Sequence, residues 1–292
     1  MLSVVRQLDC HKENIYIMKY VEINNEKFYY YESDDPVIQH LVTQKQLFGY
    51  GNFKLLFDFI LNKNLALVDC GAHIGTFSFV PAINNMRVLA IDGAEKNVEC
   101  LRKTFEGKDN IIVEHQILLD DIKKCSFTDD YGPYGSAYES DDGNVESNTL
   151  DNLINKHNLQ VGAIKYDIEG NEIEALLGSK ETLEKYKPPL LLEVNGHCLR
   201  LHNKTPKDLF QILEDFNYKC YLPIDSGLMC INKNNKWPLC VSDIIAVHKD
   251  NMYNYLQYPI LEPFTQNHIE DLIGQQYKNS NDDCKQYFDT LS

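Results

Sequence analysis

From Leu65 onward the chain alternates short, unbroken apolar runs with longer stretches of helical spacing. The runs are "LALVD", "RVLAID", "IIVEH", "AIKYDI" and "PLLLEV". Continuous rather than alternating hydrophobicity predicts strands covered on both faces, as in a parallel sheet. Between them, "KNVECLRKTFEG" predicts a helix stopped at Gly107, and "NEIEALLGSKETLEKY" one stopped before Pro188-Pro189. Asn171 with Glu174 three residues on reads as a capping box for the second of these. "TPKDLFQILEDFNY" predicts a further helix, with final strands in "KCYLPI" and "DIIAVH". Strand–helix alternation predicts an α/β domain with a doubly wound, mostly parallel sheet over residues 55–250.

Upstream the period changes. "IYIMKYVEINNEKFYYYE" (15–32) reads as two strands around Asn24-Asn25, a β-hairpin. Asp35 followed by Pro36 is a cap and first-turn proline for a helix over "VIQHLVTQKQLF". Asn52 can cap another helix, "FKLLFDFILNK", whose Phe53, Leu56, Phe57 and Ile60 share a face. Residues 1–54 therefore form a hairpin and helical extension, and residues 251–292 read as a polar, weakly periodic tail. No apolar run approaches membrane-spanning length.

The first residues reach Arg6 and Asp9 too early for a signal peptide. Nine cysteines, with no Cys-x-x-Cys pair, indicate neither a disulfide framework nor a zinc site. The expected compartment is a reducing cytoplasm. A net charge of −15 repels phosphate backbones, so nucleic acid is an unfavoured partner unless a local basic groove exists. Between Asp120 and Asp151 nine acidic residues stand against Lys123 and Lys124, the signature of a solvated loop.

The first strand–helix turn carries the chemistry. In "LALVDCGAHIGTFSF", Asp69 ends an apolar run and Gly71 and Gly75 stand four residues apart. Glycine there permits positive φ and close approach of a ligand to the main chain. A dinucleotide fingerprint needs Gly-x-Gly-x-x-Gly, and His73 occupies the middle glycine's place. Asp69 would repel a pyrophosphate but suits a positively charged ligand. Asp-x-Gly-x-x-x-Gly is the pattern of methyltransferases using S-adenosylmethionine, which carries an ammonium and a sulfonium. The next strand ends at Asp92, placed to accept from both ribose hydroxyls. Asp69, Gly71, Ala72, His73, Gly75, Asp92 and Gly93 are the cofactor-binding candidates, with Gln116 and Ile117 beside the adenine. For His73 a plain loop position is the simpler account.

The segment "SNTLDNLINKHNLQVGAIKYDIEGNEIEALLGSKETLEKYKPPLLLEVN" resembles the FkbM family of S-adenosylmethionine-dependent methyltransferases. That family pairs Ser/Thr-Leu-Asp with Ile-Lys-x-Asp-x-Glu-Gly and a Leu-Leu-Glu strand. Here these are Thr149-Leu150-Asp151, Ile164 to Gly170, and Leu191-Leu192-Glu193. Two positions depart from its pattern: His73 replaces an asparagine, and Asp92-Gly93 replaces Glu-Pro. The resemblance implies a Rossmann-like methyltransferase fold and O-methylation, often of sugar or polyketide hydroxyls. Pro81 should kink the helix after the glycine turn.

Read as residues alone, Lys165, Asp167 and Glu169 are spaced by two, so a strand would project them to one side. Asp167 would end the fourth strand and Glu193 the fifth, about 4.8 Å apart laterally, close enough to converge. Such a pair raises at least one pKa and favours a proton acceptor near neutral pH, with Lys165 offsetting the repulsion. His197, in the loop "NGHCLR", is a second base candidate. The alternative for Asp167, Glu169, Glu193 and His197 is a divalent metal held by hard ligands, which the sequence does not strongly indicate. Tyr131, Tyr134 and Tyr138 in "DDYGPYGSAYES" offer flat faces to a sugar ring. The expected partner is a small-molecule or glycan acceptor. The rival readings are an RNA ribose 2′-O-methyltransferase and a catalytically idle S-adenosylmethionine-binding module.

Overall fold

The computed structural model describes residues 17–23, 25–47, 55–56, 59–60, 62–128, 136–140, 142–143, 145–224, 227–235, 237, 241–251 and 259–261. The leader reading at residues 1–9, the Asn52 cap with much of its helix, Tyr131, Tyr134 and most of the tail lie outside them.

β1 (Met18–Ile23) and β2 (Glu26–Tyr31) pair antiparallel as the expected hairpin, followed by α1 (Pro36–Gln44). Then come β3 (Ala66–Cys70), α2 (Thr76–Ile83), β4 (Val88–Asp92), α3 (Glu95–Thr104) and β5 (Ile111–His115). A smaller group contains β6 (Ile117–Leu118), β7 (Lys124–Thr128), β8 (Ser136–Glu139) and β9 (Val145–Asn148). After α4 (Leu150–Lys156) follow β10 (Val161–Tyr166), α5 (Glu172–Leu177), α6 (Lys180–Tyr186) and β11 (Leu190–Asn195). The rest comprises α7 (Gly196–Leu201), α8 (Pro206–Asp215), β12 (Tyr218–Ile224), β13 (Gly227–Ile231), β14 (Val241–His248) and β15 (Ile260–Leu261).

The main sheet has the order β15-β13-β12-β14-β11-β10-β3-β4-β5. β11, β10, β3, β4 and β5 run parallel, and β14 begins an antiparallel edge against β11. All residues of β3, β4 and β10 are buried, which is why their apolar runs are unbroken. Alternate side chains serve two layers. Ala66, Val68 and Cys70 pack with α4, α5 and α8, whereas Leu67 packs with Phe77 and Leu191 on the other face. From β3 the chain winds outward to β5, then returns to place β10 on the other flank of β3. The strand order reverses between β3 and β10, where open α/β sheets bind their ligands.

Four expectations change. The acidic run 120–151 is not a solvated loop: its described parts supply three strands, β7, β8 and β9, of a four-stranded sheet of order β6-β9-β7-β8. The helix expected over 171–186 is two, α5 and α6, broken at Gly178-Ser179. A Cβ at Gly178 would lie 2.1 Å from the Leu119 carbonyl oxygen, and Asp151 caps α6 by accepting from the Glu181 and Thr182 amides. The capping box at Asn171 is absent. Its side chain instead donates to the Ala137 carbonyl at 3.0 Å. Finally, part of the polar tail is a strand, β15, added to the edge beside β13. Pro81 lies inside α2, which ends at Ile83. Among the described residues no helix is long and apolar enough to cross a membrane.

Candidate functional site

The C-terminal ends of β3 and β10 meet at Lys165. Parallel pairing sets Lys165 beside Asp69, and the lysine side chain is buried. Its Nζ donates to the Gly71 carbonyl at 2.8 Å and lies 3.3 Å from Asp69 Oδ1 and 3.1 Å from Asp167 Oδ2. Burial opposes that charge, but Asp167 and Asp69 outweigh it and raise the lysine pKa. One ammonium thus ties the glycine turn, a buried carboxylate and a half-exposed one.

Asp69 is turned inward. It is fully buried, accepts from Ser78 Oγ at 2.6 Å, and shares the Lys165 charge. Its pKa is raised by burial, with Lys165 pulling the other way. The sequence shows an acid at the strand tip but not that the strand's full coverage turns it inward.

The two glycines are bare for the chain's own sake. Gly71, at φ +79°, would carry a Cβ 1.7 Å from the Asp167 carbonyl oxygen. Gly75, at φ +93°, would carry one 2.8 Å from Leu101 and Phe105 side-chain atoms of the α3 region. The turn is therefore closed against Asp167 on one side and the α3 region on the other. Between the glycines, Ala72 is buried and His73 sits at φ +52°, a conformation histidine and asparagine both tolerate better than most residues.

Asp92 is already engaged. Oδ2 accepts from the His73 amide at 2.7 Å, and Oδ1 from the Ala94 amide at 2.9 Å and Asn97 Nδ2 at 3.1 Å. A carboxylate has about four acceptor positions, so one remains, not the two needed to bind both ribose hydroxyls through separate oxygens. Gly93, Gln116 and Ile117 gather at the same strand tip. The Gln116 amide donates to the Asp92 carbonyl at 3.0 Å, and a Cβ on Gly93 would lie 3.3 Å from Ile117.

On the other flank, Asp167, Glu169 and Glu193 bring carboxylate oxygens within 4.8 Å of one another. They do not converge as alternate strand residues, because β10 stops at Tyr166. Residues 167–170 form a turn in which Glu169 takes φ +54°. Glu172, fully buried, holds this turn by accepting from the Ile168 amide at 3.1 Å and the Gly170 amide at 3.1–3.2 Å. Glu169 Oε2 accepts from Asn195 Nδ2 and Cys198 Sγ, each at 3.2 Å. Glu193 Oε2 is buried and makes no hydrogen bond among the described residues. Opposite Glu193 on β14 stands Asp243.

His197 stands outside this trio and is not in a loop. It lies in the first turn of α7, its amide donating to the Asn195 side chain that caps that helix. Glu172, Asn195 and Cys198 were not anticipated as parts of the site. The Asn195-Gly196 pair ahead of "HCLRL" is a legible helix start, whereas Glu172's reach back to Ile168 depends on the turn.

Burial first, then Asp167's charge, pushes Glu169 up to about 8, and burial pushes Glu172 up to about 7. Glu193 is raised too, by burial and then by Asp167 and Glu169. An unfolded glutamate titrates near 4.5, so the folded chain keeps a proton that the unfolded chain releases. That contribution to stability is present below about pH 4.5 and lost as pH rises through about 8. Glu169→Gln should therefore flatten the decline in melting temperature between about pH 5 and 9. Calorimetric melts of both proteins across that range check it; parallel curves would place Glu169 in the ordinary range.

The arrangement fits a ligand with a positive centre and an anionic end. No side chain caps the N-terminus of α2, leaving its dipole for a carboxylate, while the acidic flank suits a cation.

The methyltransferase FkbM domain model matches residues 69–220, just over half of the chain. No curated protein matches. Among solved structures, a methyltransferase FkbM from Methylobacillus flagellatus KT is 18% identical, with a TM-score of 0.40. That match covers 64% of this chain and only 44% of the other. A precorrin-6y C5,15-methyltransferase from Geobacter metallireducens GS-15 is 15% identical over 71% of this chain and 92% of its own, TM-score 0.40. Magnesium protoporphyrin IX methyltransferase from Synechocystis PCC 6803, solved with bound S-adenosylmethionine, is 14% identical over 74% and 82%, TM-score 0.41.

Proposed function

The chain belongs to the methyltransferase FkbM domain family, and on that premise we propose that it methylates a hydroxyl of a sugar, glycan or similarly small polar acceptor, using S-adenosylmethionine. The observation that carries this reading is Asp167: a partly exposed carboxylate, held 3.1 Å from a buried lysine, at the sheet's switch point. When bound, S-adenosylmethionine supplies an electrophilic methyl on a sulfonium. The uncapped end of α2 would hold its carboxylate, and the remaining acceptor position of Asp92 would take one ribose hydroxyl. Gly93, Gln116 and Ile117 would border the base.

The chain's own chemistry is proton transfer and positioning. Asp167 accepts the acceptor's hydroxyl proton as the new C–O bond forms and the methyl–sulfur bond breaks, with the demethylated donor leaving as a neutral thioether, and Lys165 keeps that carboxylate aligned with the turn. Glu169, pushed up to about 8 chiefly by burial, is protonated at neutral pH and donates a hydrogen bond to the acceptor; burial and then Asp167 and Glu169 raise Glu193 in the same direction. Tyr138, exposed on β8 next to Ala137, whose carbonyl accepts from Asn171, supplies a flat face near this flank. The charge of −15 favours a neutral or cationic acceptor over RNA.

Labelled methyl donor with a panel of sugars, glycans, lipids and RNA tests the proposal, alongside calorimetry with S-adenosylmethionine and its demethylated product. The expected result is donor binding and label on a hydroxylated small acceptor. Label on RNA alone would overturn the acceptor class, and no donor binding would overturn the function. The spacing of the three carboxylate oxygens favours one second reading, a divalent cation held there. It requires that a chelator abolish activity and a divalent cation restore it.

A further inference from the structure

The N-terminal extension reaches the glycine turn. Asp35 caps α1 with one oxygen, Oδ1 accepting from the Ile38 amide at 3.0 Å, and presents the other, Oδ2, 3.5 Å from His73 Nε2. His73 is the central residue of the turn, and its amide is one of the donors that occupy Asp92. Its Nδ1 is buried and makes no hydrogen bond among the described residues, so Asp35 is the ring's polar partner there. Neither side chain is at the open surface, with 27% of His73 and 14% of Asp35 exposed.

This contact is not an incidental meeting of two loops, because both of its ends are anchored. Ala72 and Ile74, which flank His73, lie in one hydrophobic cluster with Phe28, Ile38 and Leu41 of the extension. Phe28 packs on Phe79 of α2 at 5.2 Å between ring centroids. The Tyr29 amide donates to Thr104 Oγ1 at 3.0 Å, and Tyr31 donates to Glu99 at 2.6 Å, both on α3. The hairpin and α1 thus seat on the α2–α3 layer, and from that seat Asp35 meets the turn.

We infer that the N-terminal hairpin and α1 are part of the cofactor half of the site, and that Asp35 is a positioning residue acting through His73. Its carboxylate selects the tautomer with a proton on Nε2 and holds the ring, which keeps His73 at positive φ with its amide on Asp92. The inference rests on the proposed use of S-adenosylmethionine but predicts something that proposal does not: a residue outside the matched family domain controls donor affinity without touching the reacting atoms.

Asp35→Asn tests it, since asparagine caps a helix about as well as aspartate and α1 should survive. Affinity for S-adenosylhomocysteine should fall about fivefold or more by calorimetry, a modest coupling between linked sites. KM for the methyl donor should rise in step with little change in kcat. In a His73→Asn background, where the shorter residue tolerates positive φ but does not reach Asp35, Asp35→Asn should cost nothing further. An equal loss in both backgrounds would overturn the inference, as would wild-type affinity in the single variant. Amide hydrogen exchange at residues 71–75 supplies a reading without ligand. Faster exchange in Asp35→Asn supports the positioning role even if the wild type binds no donor, and unchanged exchange overturns it.

Discussion

Asp167→Asn should lower turnover by about 10²–10⁴-fold while leaving affinity for the methyl donor nearly unchanged. Asparagine keeps the size and hydrogen-bonding capacity of the side chain but cannot take the acceptor's proton. The loss falls on kcat because proton removal is an interaction of the transition state. Lys165 would remain charged, since Asp69 still lies 3.3 Å from its Nζ. The turn would therefore stay tied to β10 through the Gly71 carbonyl. Glu193→Gln should cost less by itself, because Asp167 rather than Glu193 takes the acceptor's proton and glutamine keeps the size and hydrogen-bonding capacity of the side chain. If the two carboxyls act as a unit, the double variant should lose less than the product of the single effects. Single-turnover kinetics with an identified acceptor decide the matter, and full turnover in Asp167→Asn would displace Asp167 as the base.

Gly71→Ala should damage both the fold and donor binding. The added Cβ would stand 1.7 Å from the Asp167 carbonyl oxygen, and backbone, unlike a side-chain tip, cannot swing aside. The positive φ adds roughly 1–2 kcal/mol, and overpacking typically 1–3 kcal/mol more. For a chain of this size such a loss corresponds to a melting temperature lower by roughly 5–15 °C. Relief of the clash separates β3 from β10, breaking the bond from the Asp167 amide to the Cys70 carbonyl at 3.1 Å and moving the proposed base. Gly75→Ala meets only the ends of Leu101 and Phe105 at 2.8 Å, so it should be milder. Thermal melts and donor calorimetry on the two variants test this order. A Gly71→Ala protein that melts and binds like the wild type would show that the turn is not closed against Asp167.

The two effects share a cause. The glycine turn and the turn that begins at Asp167 meet at Gly71, tied by Lys165 and by the β3–β10 pairing. A change at one turn is therefore felt at the other.

The sequence by itself determined the five parallel strands of the main sheet, the class of fold and the family. Unbroken apolar runs bounded by turn signals favour strands covered on both sides, and the spacing from Asp69 to Gly75, with Ile164 to Gly170, carries the family resemblance. It also brought Asp167 and Glu193 to one end of two neighbouring parallel strands, although β10 stops at Tyr166, just before Asp167, and β11 runs two residues past Glu193 to Asn195. Only the tertiary structure decided which acids face inward. Asp69 and Asp167 look alike in sequence, yet full coverage buries one on Lys165 and leaves the other partly open. Glu169 joins the trio through a left-handed turn that periodicity cannot show, and Glu172 earns no motif because it serves backbone amides. The link from Asp35 to His73 crosses 38 positions of chain and depends on how the hairpin seats on α3. Local patterns report one element at a time, whereas burial and pairing of charges depend on what the other elements bring.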